Sequence, residues 1–258
     1  AGAFFGLEFF LIGKVNYKAI FPAFTSAILA DLVTKAWNVP HTHYHIYDFP
    51  ELSLSPILYS ILGGIAFGLC AMAFSKSIRY VTSIFKSKIK FPPFRPLVGG
   101  IIVALAVFLI GTTKYIGLGI PTIVQSFEEQ LPMYDFALKI AFTILTLAAG
   151  FKGGEVTPLF FIGATLGSAL SFLIPLPTAL LAGMGFVAVF AGATNTPIAC
   201  MLMGIELFGI ESGIYVAIAC MVSYLVSGHS SIYGKQIIGE PKHENNNHHS
   251  GKSISEII

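Results

Sequence analysis

The sequence predicts an all-α, polytopic membrane protein made of tilted and broken helices around an internal repeat. Three observations carry that reading. Of the 258 residues, 55% are hydrophobic and 11% charged, where a soluble domain carries about 25% charged residues. Apolar stretches follow one another along the whole chain, several too short to cross a bilayer. A ten-residue apolar pattern containing a glutamate occurs twice. The composition excludes a disordered chain, a nucleic-acid-binding module and an ordinary cytosolic enzyme. A formal charge of +2 is too small to suggest a polyanionic partner.

The elements follow in order. Residues 1–13 read as the end of one span, 18–37 as a second, 55–74 as a third and 96–112 as a fourth. The stretches 120–131, 136–149, 157–174, 177–194, 197–210 and 213–228 are apolar but shorter and broken by Gly and Pro. A full span needs about 20 residues. Irregular backbone at membrane depth is tolerated where it lines a cavity or is buried in protein, and broken helices mark ion sites in transporters. Residues 1–233 therefore form a transmembrane domain, and the polar residues 234–258 a partly disordered tail. The first residue is Ala and already lies in an apolar run, so the chain is expected to begin inside a membrane helix. Cys70, Cys200 and Cys220 sit in apolar runs without metal spacing and read as packing residues.

Lys76, Arg79, Lys86, Lys88, Lys90 and Arg95 crowd 75–95, while 38–54 has neither Lys nor Arg. The positive-inside rule puts 75–95 in the cytoplasm and 38–54 outside. Lys14 and Lys18, one span earlier, agree, and the tail falls on the cytoplasmic side.

The repeat pairs AGAFFGLEFF at 1–10 with ACMLMGIELF at 199–208. Ala1, Gly6, Glu8 and Phe10 match Ala199, Gly204, Glu206 and Phe208. Internal repeats of this kind belong to transporters, with the ion site near the repeat interface. For Glu8 and Glu206 a structural role, such as closing networks with backbone amides, is favoured over ion handling.

The most informative stretch is Gly150-Phe-Lys-Gly-Gly-Glu-Val-Thr-Pro158. Its glycines break the preceding helix, and Pro158 suits the first turn of the next. That turn presents free N–H groups and a partial positive charge, a ready site for a small anion. Glu155 lies in or beside it. An ionisable residue at membrane depth is costly and is a functional candidate by default, here as a proton carrier. The alternative is a carboxylate that caps its own helix. Thr157 offers a hydroxyl to an anion, or an N-cap. Tyr233, after the break Ser227-Gly-His-Ser-Ser-Ile, either aims its hydroxyl into a cavity or belongs to an interfacial aromatic belt. Asp31 and Lys35, one turn apart, read as an ion pair. His41, His43 and His45 alternate, so on an extended strand they share one side and could hold zinc or copper. A solvated outer loop is the better reading.

These residues resemble the CLC family of chloride channels and transporters. Gly154-x-x-x-Pro158 followed by LFFIGATLGSAL looks like the family's anion-binding segment. Gly183 to Glu206, with Asn195-Thr-Pro197, resembles a late family helix, Ala1–Glu8 its first-half counterpart, and Ser231-Ile-Tyr233 the segment of the central anion-coordinating tyrosine. The resemblance covers about residues 1–240. It implies two antiparallel halves per subunit and a homodimer. This chain resembles the second half plus the end of the first; the gating Gly-x-Glu-Gly-Pro motif and a cytoplasmic CBS pair do not occur in it. Where chloride-type members show Gly-x-Phe-x-Pro, this chain has Gly154-Glu155-Val156-Thr157-Pro158, and Phe9 follows Glu8 where chloride/proton exchangers keep an acid. Both departures look like the fluoride/proton antiporter branch. By that resemblance Glu155 carries protons, Gly154, Glu155, Val156, Thr157 and Tyr233 form the anion site, and the function is CLC-type anion transport in the cell membrane, most readily fluoride/proton antiport. The implied partners are fluoride or chloride ions, protons, the lipid bilayer and a second copy of the chain, with no cofactor, no nucleic acid and no enzymatic activity. Alternatives are a chloride channel or chloride/proton exchanger of the same family, an intramembrane metalloenzyme using the histidine loop, and a non-transporting accessory subunit.

Overall fold

Helices form where the apolar stretches run and stop where backbone chemistry stops them. The computed structural model describes residues 1–40, 42–243 and 249–257. Helix α1 (Gly2–Glu8) is followed by a two-residue strand β1 (Leu11–Ile12), and a 3-10 turn leads into α2 (Ile20–Ala36). Then come α3 (Leu54–Lys88), α4 (Phe94–Ile110), α5 (Ile120–Glu128), α6 (Asp135–Ala148), α7 (Val156–Leu170), α8 (Thr178–Thr194), α9 (Pro197–Phe208) and α10 (Gly213–Val226). A second short strand, β2 (Ile237–Ile238), and α11 (Ile254–Ile257) complete the fold. Most of the later helices are too short to span a bilayer upright, as the broken apolar pattern requires.

One boundary differs from the expectation. The helix does not end with the apolar stretch 55–74; residues 75–88 continue α3, which runs for 35 residues, about 52 Å at 1.5 Å per residue. No glycine or proline falls between Gly68 and Pro92 to stop it. Phe74, Ser75, Ile78 and Phe85 keep one face buried along the extension. Lys76, Arg79, Lys86 and Lys88 thus ride on a helix longer than the hydrocarbon layer is thick.

The core is built around α8, buried along nearly its whole length and packed against α3, α7, α9 and α10. In lipid there is little hydrophobic drive between helices, so small residues that admit close backbone approach do the holding. A Cβ on Gly163 of α7 would stand 2.0 Å from the carbonyl oxygen of Gly185 on α8, and one on Gly167 would stand 2.1 Å from that of Leu181. By contrast α2 buries none of its residues and turns Phe21, Ile28, Leu29 and Leu32 outward.

Charges are fastened rather than scattered. Asp135, fully buried at the start of α6, accepts from the Tyr115 hydroxyl at 2.6 Å and pairs with Lys114. One turn on, Lys139 donates to the carbonyls of Gly117 (2.7 Å) and Tyr115 (3.2 Å). Together they pin the loop between α4 and α5. Asp31 and Lys35 form the expected pair at 2.7 Å, both exposed.

Over its described residues the tail packs against the start of the chain. Leu11 and Ile12 pair in parallel with Ile237 and Ile238, and Ile12, Ile238 and Ile254 bury one another. The apolar pairs in an otherwise polar stretch supply the reason. Glu244 to His248 lie outside the described residues.

Candidate functional site

The site begins where α6 ends. Gly150 adopts a left-handed backbone (φ +96°) that a side chain would strain, and so turns the chain out of α6. The segment 151–154 then carries the chain to Glu155, which occupies the N-cap position of α7. Val156, Thr157 and Pro158 form the first turn. The N–H groups of Val156 and Thr157 fall among those a helix start leaves without intrahelical acceptors, and Pro158 has none to satisfy.

Glu155 is half-buried, and its carboxyl makes no bond to the helix it precedes. The carboxyl takes part in no hydrogen bond or ion pair among the described residues. The self-capping alternative is therefore not what the geometry holds. Thr157 is also half-buried, with its hydroxyl uncommitted among the described residues. Gly154 is exposed, on the far side of the same loop, and lines a separate crevice with Pro158 and Lys139.

Tyr233 arrives from the other end of the chain. Ile232, its neighbour, donates its N–H to the Ala193 carbonyl at the end of α8 (3.0 Å). Ile232 and Glu155 line one cavity of about 650 Å³. The Tyr233 ring meets Phe9 edge to face, centroids 4.6 Å apart. Its hydroxyl makes no hydrogen bond among the described residues. Glu155 and the segment that carries Tyr233 thus border one space, although 78 residues separate Glu155 from Tyr233 in the numbering. An open helix start, two uncommitted hydroxyls and a carboxyl can hold a small anion and exchange a proton beside it.

Three residues hold this site in place: Gln236, which the sequence reading does not single out, and Asn195 and Ser231, which it names only within motifs. Gln236, only 2% exposed, spends its whole capacity. Its amide nitrogen donates to the carbonyls of Phe9 and Thr194, both at 2.7 Å. Its oxygen accepts from Asn195 Nδ2 at 3.1 Å and from Ser231 Oγ at 2.5 Å. Ser231 Oγ in turn accepts the Tyr233 N–H at 3.0 Å. Asn195 closes α8 in the left-handed conformation (φ +61°). An Asn two residues before a proline carries a helix-stop signal in the sequence; Gln236 sits in a polar stretch and has none.

Of the repeat glutamates, Glu8 does structural work. Glu8 accepts from the N–H groups of Ile198 (3.2 Å) and Ala199 (2.9 Å) in the first turn of α9. Glu206, largely exposed, pairs with the terminal amino group of Ala1 at 2.7 Å. Of the histidine loop, His41 lies outside the described residues. The His43 and His45 rings stack 6.4 Å apart, and no metal-holding group of three is present among the described residues.

The profile described as "Voltage gated chloride channel" matches residues 1–228. A "Chloride/fluoride channel protein" of Pseudomonas syringae pv. tomato is 49% identical over 249 residues, covering 94% of this chain and 55% of its own. The "Voltage-gated ClC-type chloride channel ClcB" of Salmonella dublin is 29% identical over 252 residues, covering 90% of this chain and 59% of its own. The chain thus spans a little over half the length of these curated relatives. Among solved structures, a CLC-type fluoride/proton antiporter superposes with a TM-score of 0.87 at 34% identity, over 90% of this chain and 59% of that one. A slow cyanobacterial chloride/proton antiporter superposes at 0.69 with 18% identity, over 99% of this chain and 58% of that one, a likeness of fold alone.

Proposed function

The chain belongs to the voltage-gated chloride channel family, an integral membrane transporter family, and from that premise we propose that it forms part of an anion transporter that exchanges fluoride for protons. One observation carries the reading: Glu155 stands at an open helix start with its carboxyl uncommitted, two residues before Thr157, and shares a cavity with Ile232, the neighbour of Tyr233. A carboxylate and a free anion compete for the same positive end of a helix. Ionised, Glu155 occupies that field and repels an incoming anion. Protonated, it gives up its claim and an anion takes the place. Anion entry and proton uptake are then linked at one position. Thr157 and Tyr233 donate to the anion, and the N–H groups of Val156 and Thr157 complete its shell, with Gly154 keeping the turn open. The names of the Pseudomonas relative and of the superposed antiporter support fluoride as cargo.

Around that centre we read residues 1–233 as the membrane-embedded part and 234–258 as a cytoplasmic segment laid against it. The loop 38–54 faces outward and the basic end of α3 inward, supported by the distribution of Lys and Arg. The exposed apolar face of α2 suits lipid or a second copy of the chain. The protein transports rather than catalyses.

The test uses the intact gene product in liposomes loaded with fluoride or chloride, recording anion efflux and internal pH together. Fast fluoride efflux with opposing proton uptake and little chloride efflux is expected. Equal chloride flux returns the protein to the chloride branch and removes the transport role of Glu155.

A further inference from the structure

Lys88 closes α3, and a turn through residues 89–93 leads to Phe94 at the start of α4. Arg95 clips that turn. Its Nε donates to the carbonyl of Ile89 at 2.9 Å, which sets the guanidinium against the residue between Lys88 and Lys90. The ammonium groups of Lys88 and Lys90 and the terminal nitrogens of Arg95 make no hydrogen bond or ion pair among the described residues. The sequence from Leu52 to Phe127 holds no Asp or Glu, so neither α3 nor α4 carries a counter-charge. The positive end of α4 points at the same corner. The three cations stand apart from the described lining of the cavity beside Glu155.

Apolar surface begins where these charges stop. Phe91 and Phe94 are both more than half exposed, and their ring centroids lie 5.3 Å apart. From Phe94 an exposed stripe runs along α4 through Leu97, Ile101, Leu105 and Phe108 at helical spacing. An occupant that covers the whole surface needs negative charge at one end and a long apolar tail at the other. A phospholipid with an anionic headgroup has both. An acidic protein segment or a free phosphate ion would leave the α4 stripe bare.

We propose that the α3–α4 corner binds one anionic phospholipid, its phosphate on Lys88, Lys90 and Arg95 and an acyl chain along the outward face of α4. Clusters of cations at the end of a membrane helix recognise such headgroups. The bound lipid braces the corner against α6, because Phe85 of α3 and Gly99 of α4 both pack on Ala149, the residue before the Gly150 turn. Lipid binding here is independent of which ion the protein carries.

The test uses the intact gene product in a neutral detergent, titrated with phosphatidylglycerol or with phosphatidylcholine of the same acyl chains. Thermal unfolding is followed, and native mass spectrometry counts the lipid retained. Phosphatidylglycerol is expected to raise the unfolding midpoint by several degrees more than phosphatidylcholine, with one more molecule retained per chain. Raising the salt to about 1 M, where the screening length falls to about 3 Å, narrows that gap. Lys88→Gln combined with Lys90→Gln leaves the Arg95 clip in place and weakens phosphatidylglycerol binding by roughly tenfold. A double variant that binds phosphatidylglycerol as tightly as the unaltered protein overturns the site. Equal shifts from the two lipids on the unaltered protein overturn it even if the double variant fails to fold. So does an equal shift from inorganic phosphate or from polyglutamate, which would make the corner a site for a free anion or for an acidic protein.

Discussion

Glu8 Oε2 accepts the backbone N–H of Ala199 at 2.9 Å across 191 residues of sequence. Its repeat counterpart, Glu206, is largely exposed and pairs instead with the terminal amino group of Ala1 at 2.7 Å. Glu8 therefore caps the start of α9 and holds α1 against it.

Removing one cap should cost stability, not selectivity. Glu8→Ala leaves the N–H groups of Ile198 and Ala199 unsatisfied in a buried setting, a loss of about 1–3 kcal/mol. Glu8→Gln keeps one acceptor oxygen and loses roughly half as much. Thermal unfolding of the detergent-solubilised protein should rank the unaltered protein above Gln and Gln above Ala. The fluoride-to-chloride flux ratio should not move.

The α7–α8 crossing should tolerate no added carbon. In Gly163→Ala the new methyl meets backbone at 2.0 Å, and backbone cannot rotate away as a side chain can. The expected cost is at or above about 3 kcal/mol, the upper end for overpacking. Gly213→Ala is the control: its Cβ would meet only Ile205 side-chain atoms at 3.4 and 3.5 Å, and Ala is the better helix former by about 0.5–1 kcal/mol. Unfolding midpoints that put both variants together would contradict this account of the crossing.

The helices were legible because lipid-facing and core-facing segments are apolar alike, so each run of apolar letters marks an element whichever way it faces. The run 55–74 was cut short because lysine and arginine end an apolar stretch without ending a helix; Ile78 and Phe85 continue the buried face past them. Glu155 and Thr157 could be read because a Gly-rich break followed by proline fixes a helix start locally. Tyr233 was a candidate but its neighbours were not. Its position depends on Gln236 reaching back to Phe9 and Thr194, contacts 227 and 42 residues distant. No local pattern encodes such a contact.

Gln236 should therefore behave as a positioning residue for the anion site. Gln236→Leu has similar length but strands two carbonyls, the Asn195 amide and the Ser231 hydroxyl. At about 1–3 kcal/mol for each unsatisfied buried group, less than additive, the loss should exceed about 3 kcal/mol. Gln236→Glu keeps the acceptors, loses both donors and should fall between. Where Gln236→Glu still folds, a looser Tyr233 segment should raise the half-saturating fluoride concentration and leave the proton-to-anion ratio unchanged. A variant that melts earlier with unaltered affinity would confine Gln236 to holding the fold.

The sharpest separation of structure from function falls on Glu155. Its carboxyl makes no bond to the α7 start or to any described residue. Glu155→Gln should then change stability by less than about 0.5 kcal/mol, as surface substitutions away from special features do. A structural cap would lose about 0.5–2 kcal/mol on removal. The same substitution fixes the side chain in a neutral form that resembles the protonated acid, so the anion loses its competitor and the proton its carrier. An imposed pH gradient should no longer drive fluoride uphill, while any remaining downhill flux should proceed without a change in internal pH. Thr157→Val removes a donor but not the carboxyl. It should weaken fluoride binding by roughly five- to tenfold, the worth of one net hydrogen bond of about 1–1.5 kcal/mol, and leave coupling in place. Liposome flux beside a melting curve reads both quantities on one preparation. A Glu155→Gln protein that melts several degrees lower yet still couples protons would reverse the assignment and make Glu155 a support of its helix.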